Sequence, residues 1–180
     1  PDSAWDSAAA LRASNGIAGD YAVLAPFTTR PQKHWFDERW AELAGRLPAH
    51  LTPVMLGGRG DVERAAGIAA RAGGPLVNLT GWTSLAECAA LIGSARLLIG
   101  VDTGLTHLGT AMRTPTVALF GSTSPYLDTG RADGCVLYQP RDCSPCHRRP
   151  SCGGRFDCMG AHSVDRVLAA ADTVLAARPG

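Results

Sequence analysis

The sequence predicts an α/β domain: a parallel sheet with helices on both faces. Three observations carry that prediction. Short apolar runs alternate with stretches of helical periodicity, at about the spacing of βαβ units. The runs are brief and bulky, as buried strands are. Most of them end in Gly, Pro, Ser, Thr or Asp, the residues that mark turns. Right-handed crossovers between such strands then give parallel pairing.

The elements follow in order. Residues 1–20 are rich in Ala, Ser and Asp and are expected to form a linker or a leading helix, with the domain proper spanning 21–180. Residues 21–25 form the first strand, closed by Pro26, and a polar loop with Thr28, Thr29, Arg30 and Lys33 follows. Residues 36–47 carry helical apolar spacing through Phe36, Trp40, Leu43, Ala44 and Leu47, so Trp35 and Trp40 are expected in the core. A second strand at 54–56 ends in Gly57-Gly58-Arg59-Gly60-Asp61, and a helix covers 62–71. The third strand, 76–79, leads through Gly81-Trp82-Thr83 to Ser84-Leu85-Ala86-Glu87, a capping-box pattern that opens a helix to about Ile92. The fourth strand, 96–100, delivers Val101-Asp102-Thr103-Gly104-Leu105-Thr106-His107 to the start of another helix, which Pro115 stops. Strands at 116–120 and 135–138, a cysteine-rich segment at 143–158 and an amphipathic helix through Val164, Val167, Leu168, Ala171, Val174 and Leu175 complete the chain.

The bulk numbers narrow the function. A chain of 180 residues fits one full-sized domain with a single core. Apolar content of 46% and charged content of 18% are globular values. A formal net charge of +1 supplies no field that would favour nucleic acid as a partner. There is no apolar run of membrane-spanning length and no charged-then-apolar leader, so the chain is read as soluble. It begins at Pro1 rather than Met, a hint of excision from something longer.

In a parallel sheet all strand-to-helix loops lie at one edge, where ligands collect. Five loops therefore share a rim: 28–34, 57–61, 81–83, 102–107 and 121–125. Lys33 and Arg30 bring positive charge, and Thr28 and Thr29 bring hydroxyls. Gly57 and Gly58 allow close backbone approach, and Asp61 is placed to accept from a ribose. The backbone N–H groups of Thr103, Gly104 and Leu105 sit at a helix start, where unpaired donors and the helix dipole favour an anion such as a diphosphate. His107, one turn in, can point back over the same mouth. Gly121, Ser122 and Thr123 add further donors. The inventory suits a nucleoside diphosphate. It does not suit a P-loop NTPase or a standard dinucleotide fold, because neither G-x-x-x-x-G-K-[ST] nor G-x-G-x-x-G occurs. Taken singly, Asp102 and Asp61 are equally explained as helix caps, Lys33 as a solvated charge, and Thr83 or Ser84 as a cap.

Three segments give the sequence a family likeness: Thr28-Thr29-Arg30 with Lys33-His34-Trp35, Asp102-Thr103-Gly104-Leu105-Thr106-His107-Leu108, and 115–121 with Thr123 and Pro125. Over roughly 21–125 and the last helix, the chain resembles the donor-binding half of the ADP-heptose lipopolysaccharide heptosyltransferases, glycosyltransferase family 9. The resemblance implies a GT-B enzyme of two Rossmann-like domains, this chain being the C-terminal one. It implies ADP-heptose as donor and the lipopolysaccharide inner core as acceptor, with inversion at the anomeric carbon. Thr28, Thr29 and Lys33 would then lie by the diphosphate, Lys33 stabilising the leaving group. Asp102, Thr103, Gly104 and His107 would lie by heptose and phosphates, with Thr83 also on the donor side. Asp61 stands where the family usually has Glu, one methylene longer, against the adenosine ribose. The family's general base is an Asp of the N-terminal domain, so none is expected here and the chain alone is expected to be inactive. The implied location is cytoplasmic, peripheral at the inner membrane. Two other readings stay open: transfer of heptose to a protein of the autotransporter type, and a metal-stabilised interaction module without catalysis.

Four of the six cysteines, Cys143, Cys146, Cys152 and Cys158, fall in one segment that opens with a C-x2-C knuckle. An S₄ site there would suit a structural zinc or iron, with His147 and His162 as substitute ligands. Free thiols or a disulfide made during preparation are the alternative. No cofactor is expected for the chemistry itself. Arg141, Arg148, Arg149 and Arg155 flank the segment, either as a solvated basic face or as a contact for an acidic acceptor.

Overall fold

The computed structural model describes residues 2–125, 129–146 and 148–177. Its strands are β1 (Tyr21–Ala25), β2 (Thr52–Met55), β3 (Val77–Asn78), β4 (Leu97–Val101), β5 (Thr116–Phe120) and β6 (Gly134–Tyr138). Its helices are α1 (Asp2–Ser14), α2 (Asp37–Arg46), α3 (Val62–Arg71), α4 (Leu85–Gly93), α5 (Gly104–Ala111), α6 (Asp157–Gly160) and α7 (Val164–Ala176). The strands form a single parallel sheet in the order β3-β2-β1-β4-β5-β6. That order reverses between β1 and β4, which pair Leu24 with Ile99 and Ala25 with Gly100. A crevice for a ligand opens at such a reversal, beyond the carboxyl ends of the strands.

β1, β4 and β5 are buried on both faces, the edge strands β3 and β6 only partly, and the pleat divides the side chains between two cores. Ala22 and Leu24 of β1 join Leu97, Ile99 and Val101 of β4 under α2, α3, α6 and α7. Tyr21 and Val23 join Leu98 under α1, α4 and α5. Helices thus lie on both faces, as the periodicity predicts. The N-terminal residues contribute to the second layer: Ala8 is buried there, and Ser7 donates to the Glu87 carboxylate of α4. Ser7 and Ser84 together hold that carboxyl down to about 2. The predicted capping box is in place, with Ser84 N–H donating to Glu87 at 2.7 Å. No helix among the described residues is long and apolar enough to cross a membrane.

Two details bring the site's elements together. At Gly100 the space a Cβ would occupy is filled by the Thr106 hydroxyl and Ala25. The Thr106 Oγ1 donates to Val101 O at 2.6 Å, drawing the first turn of α5 onto the end of β4. On the opposite face Trp35 is fully buried, as is Trp40, and the rings meet edge to face at 5.0 Å. Trp35 Nε1 donates to His162 O at 2.9 Å, tying the loop after β1 to the entry of α7. His162 Nε2 in turn donates to Phe120 O at 2.8 Å at the end of β5. Neither tryptophan reaches the rim, as expected.

The differences from the predicted elements lie at edges. The third strand shortens to Val77–Asn78, because it pairs on one side only, with β2. A 3-10 turn, Arg59–Asp61, precedes α3. The short α6, which no periodicity announced, enters through Phe156 at φ 49°, a left-handed conformation.

Candidate functional site

A cavity of about 670 Å³ opens at the switch between β1 and β4. It is lined by Thr28, Thr29, Lys33, Asp61, Thr83, Asp102, Thr103, Gly104 and His107, all nine of the residues singled out by sequence for the donor. Phe27, Gly57, Gly58, Leu85, Cys88 and Leu105 complete its walls. Of these, Phe27, Leu85 and Cys88 were not anticipated. The signal for Leu85 was present: the capping box at Ser84 puts the first helical residue of α4 on the rim. Arg30 does not line the cavity and is exposed.

Asp102 is the centre of the polar network. Its side chain is only 13% exposed, and Lys33 Nζ lies 2.6 Å from Oδ2. Thr123 Oγ1 donates to the same Oδ2 at 2.7 Å. His107 Nε2 lies 3.4 Å from Oδ1, and Thr28 Oγ1 donates to the Asp102 carbonyl at 3.3 Å. Burial pushes the carboxyl up, but the hydrogen bonds from Lys33 and Thr123, with the charges of Lys33 and His107, outweigh it and hold the group below its ordinary value. Asp102 is therefore not the helix cap it could have been. Thr103 takes the N-cap position of α5, and the carboxylate faces the cavity instead. The N–H groups of Thr106 and His107 bond Thr103 O, while those of Gly104 and Leu105, the first two of α5, belong to residues that line the cavity.

The other predicted residues have more local commitments. Asp61 accepts from Gly58 N–H at 2.9 Å through Oδ2, closing the turn before α3. Asp61 stands at the N-cap position of α3, but its side chain caps no N–H of that helix, contrary to the cap reading, and the residue lines the cavity. Thr83 is not the cap of α4; its Oγ1 lies 3.1 Å from Cys88 Sγ in the cavity wall. Burial raises the Cys88 thiol.

The loop bearing Thr28 and Lys33 is clamped from behind, by a device the sequence did not disclose. Arg64 NH1 of α3 donates to His34 Nδ1 at 2.6 Å, and Arg64 also pairs with Asp37 at 2.7 Å. With Nδ1 accepting from Arg64, the neutral ring carries its proton on the other nitrogen. Burial and the Arg64 charge lower the His34 pKa. Burial lowers that of His162 as well. Both imidazoles belong to the folded state as neutral groups, so the unfolded chain binds more protons once the pH drops below the ordinary value of 6.5. Stability is expected to be full above that pH and to fall as the pH descends from 6.5 towards the lowered folded values. Urea midpoints at pH 7.5 and 5.5 check this, and equal midpoints would refute it.

The cysteine segment is not arranged as a coordination shell. Among the described residues no three His, Cys, Asp or Glu side chains gather closely enough to hold a metal ion. Cys158 is buried, Cys143 is exposed, and Cys146 and Cys152 lie between. The thiols are nonetheless neighbours: Cys143 and Cys152 raise Cys146, and Cys146 and Cys143 raise Cys158, in each case after burial. His162 is committed to Phe120 O, and His147 lies outside the described residues. The segment is anchored to the loop after β5. Ser144 donates to Gly121 O, and Cys158 and Met159 fill the space beside Gly121 where a Cβ would stand.

Fold and site define an α/β domain with a polar cavity at the switch point of its parallel sheet. The profile of glycosyltransferase family 9 (heptosyltransferase) matches residues 2–154, and the chain belongs to that family. It is 37% identical over 115 residues to lipopolysaccharide heptosyltransferase 1 of Escherichia coli (strain K12), covering 63% of this chain and 35% of that protein. It superposes on the structure of E. coli heptosyltransferase WaaC with ADP at a TM-score of 0.66 and 29% identity, over 84% of this chain and 43% of that one. The iron-containing dodecameric glycosyltransferase TibC of enterotoxigenic E. coli H10407 shares the fold at a TM-score of 0.62 and 18% identity, over 88% of this chain and 45% of that one. The chain thus spans less than half the length of these three proteins.

Proposed function

We propose that the cavity binds ADP-heptose, and that the chain is the donor-binding part of an inverting heptosyltransferase acting on the lipopolysaccharide inner core. The observation that carries this reading is the meeting of Lys33, Asp102 and His107 at the N-terminus of α5, beside Thr28 and Thr29. Lys33, the two hydroxyls and the α5 amides face one anion-sized region, as a diphosphate requires. Asp102 and His107 offer an acceptor and a second polar group to sugar hydroxyls, and Asp61 stands one loop away for a ribose. As the bond from the sugar's anomeric carbon to the diphosphate breaks, charge grows on the departing ADP, where Lys33 and the helix amides stabilise it. The acceptor hydroxyl gives its proton to a base on the acceptor side. Asp102 is a poor candidate for that base, because Lys33 and Thr123 keep its carboxyl ionised and weakly basic. On this reading the enzyme works in the cytoplasm, at the inner membrane where its acceptor lies.

Titrating the chain with ADP by calorimetry tests the proposal. Saturable 1:1 binding, stronger for ADP than for UDP, is expected, and no heat with either nucleotide overturns it.

The four cysteines favour a second reading, transfer to a protein acceptor, because TibC is described as iron-containing. Acceptor assays with the full-length enzyme, offering lipopolysaccharide core or an autotransporter protein, separate the two. For either acceptor we assign Cys143, Cys146, Cys152 and Cys158 to a structural zinc or iron, which the segment would have to close around, since the thiols do not form a shell as they stand. Metal analysis of the purified chain, with a count of reactive thiols, tests the assignment. About one zinc or iron per chain supports it, and four freely reactive thiols without metal overturn it. Metal without nucleotide affinity would favour a non-catalytic module.

A further inference from the structure

We propose that Thr123 is a positioning residue of the nucleotide-sugar site: by holding Asp102 Oδ2 from the loop after β5, it frees Lys33 to turn to a diphosphate. The inference rests on the donor-site reading above and names a residue that does not line the cavity. Two donors converge on a single carboxylate oxygen, Lys33 Nζ at 2.6 Å and Thr123 Oγ1 at 2.7 Å. In this state the Lys33 charge is cancelled by Asp102, so an incoming diphosphate has to draw the ammonium away. Were Lys33 the only donor, its departure would strand an oxygen that is largely shielded from water, and such unmade hydrogen bonds are costly. Thr123 remains behind and keeps that oxygen paired. The charged or titratable groups facing Asp102 are Lys33 from the loop after β1 and His107 from α5; Thr123 is the neutral third partner.

The loop is fit for the task because it is fixed from outside the cavity. Ser122 is buried, Ser144 donates to Gly121 O, and Tyr138 Oη lies 3.2 Å from Ser144 Oγ. Cys158 and Met159 pack beside Gly121. Thr123 is thus presented from a rigid base, while Lys33 sits on a 3-10 turn, Pro31–Lys33, with its side chain 22% exposed.

The test uses the whole chain, ADP as the probe and Thr123→Val, Thr123→Ala and Thr123→Ser variants. Valine and alanine are expected to weaken ADP binding about 5- to 10-fold, less than the full worth of a hydrogen bond to a charged group because Thr123 reaches the ligand only through Asp102, with serine restoring it to within about twofold. In an Asp102→Ala background the same Thr123→Val change is expected to alter affinity less than about twofold, because a residue acting through Asp102 has no acceptor left to hold. Equal weakening in both backgrounds overturns the proposal, since that is what a merely structural role predicts. A second readout needs no nucleotide: the Asp102 carboxyl, followed by carbon NMR against pH, should titrate higher in Thr123→Val and return in Thr123→Ser. An unmoved titration overturns the proposal even if binding weakens. If the unmodified chain binds no ADP, the donor-site reading falls, and the carboxyl titration alone decides whether Thr123 holds Asp102.

Discussion

Replacing Lys33 with alanine is expected to weaken ADP binding roughly 10- to 100-fold, the range of one charge-assisted hydrogen bond. Two effects add in the same direction. The variant loses the one cation that the cavity lining contributes among the described residues. It also leaves Asp102, 13% exposed, without its nearest counter-charge, so an arriving diphosphate meets a bare carboxylate. Lys33→Arg keeps the charge but spreads it over a planar fork suited to different geometry, and should recover only part of the loss. Calorimetry reads both variants. An affinity for Lys33→Ala within about threefold of the parent would contradict the role given to this side chain, since a lost charged partner costs more than that.

The largest effect on stability is expected from Trp35→Ala. The ring is fully buried, lies edge to face with Trp40 at 5.0 Å, and donates to His162 O at 2.9 Å. Removing a buried aromatic of this size costs about 3–5 kcal/mol through lost transfer energy and the cavity left behind. The substitution also strands the His162 carbonyl, although Arg39 donates to the same oxygen at 2.7 Å and softens that part of the loss. Denaturant unfolding measures the difference; a change below about 1 kcal/mol would mean that the site collapses around the gap. Because Trp35 follows Lys33 and His34 directly, the same variant should loosen the loop that presents Lys33. Nucleotide affinity is therefore expected to fall along with stability.

Much of this architecture can be read from the residues. β1 and β5 lie on 21–25 and 116–120 as predicted, because each is a continuous apolar run stopped by Pro26 or Gly121. α3 keeps its predicted bounds for a similar reason, ending just before Gly73-Gly74. The nine candidate residues share a cavity because parallel topology sends every loop after a strand to one edge. What periodicity does not encode is which strands are neighbours. That β4 rather than β2 alone flanks β1, and so that Lys33 meets Asp102, is a fact of long-range pairing. The Arg64–His34 clamp joins residues 30 apart on different elements, a coincidence no local pattern announces. Thr123 stood among several rim hydroxyls, and only the structure singles it out as the partner of Asp102. The cysteine segment has no period to read, and its spacing did not reveal that Cys158 would be buried while Cys143 stayed exposed.

The central place of β4 has a bearing on how the chain is made. Synthesis delivers β1, β2 and β3 first, and these pair outward in that order, leaving the inner flank of β1 bare until residues 97–101 emerge. Until then a chain with β1, β2 and β3 paired would present the inner edge of β1 with unsatisfied backbone donors and acceptors, the kind of open edge on which further strands add. Release of an incomplete polypeptide before Leu97 would leave that edge open permanently. The same insertion that brings Asp102 to Lys33 is what shields it, so the binding pocket and protection from self-association arrive in one folding step.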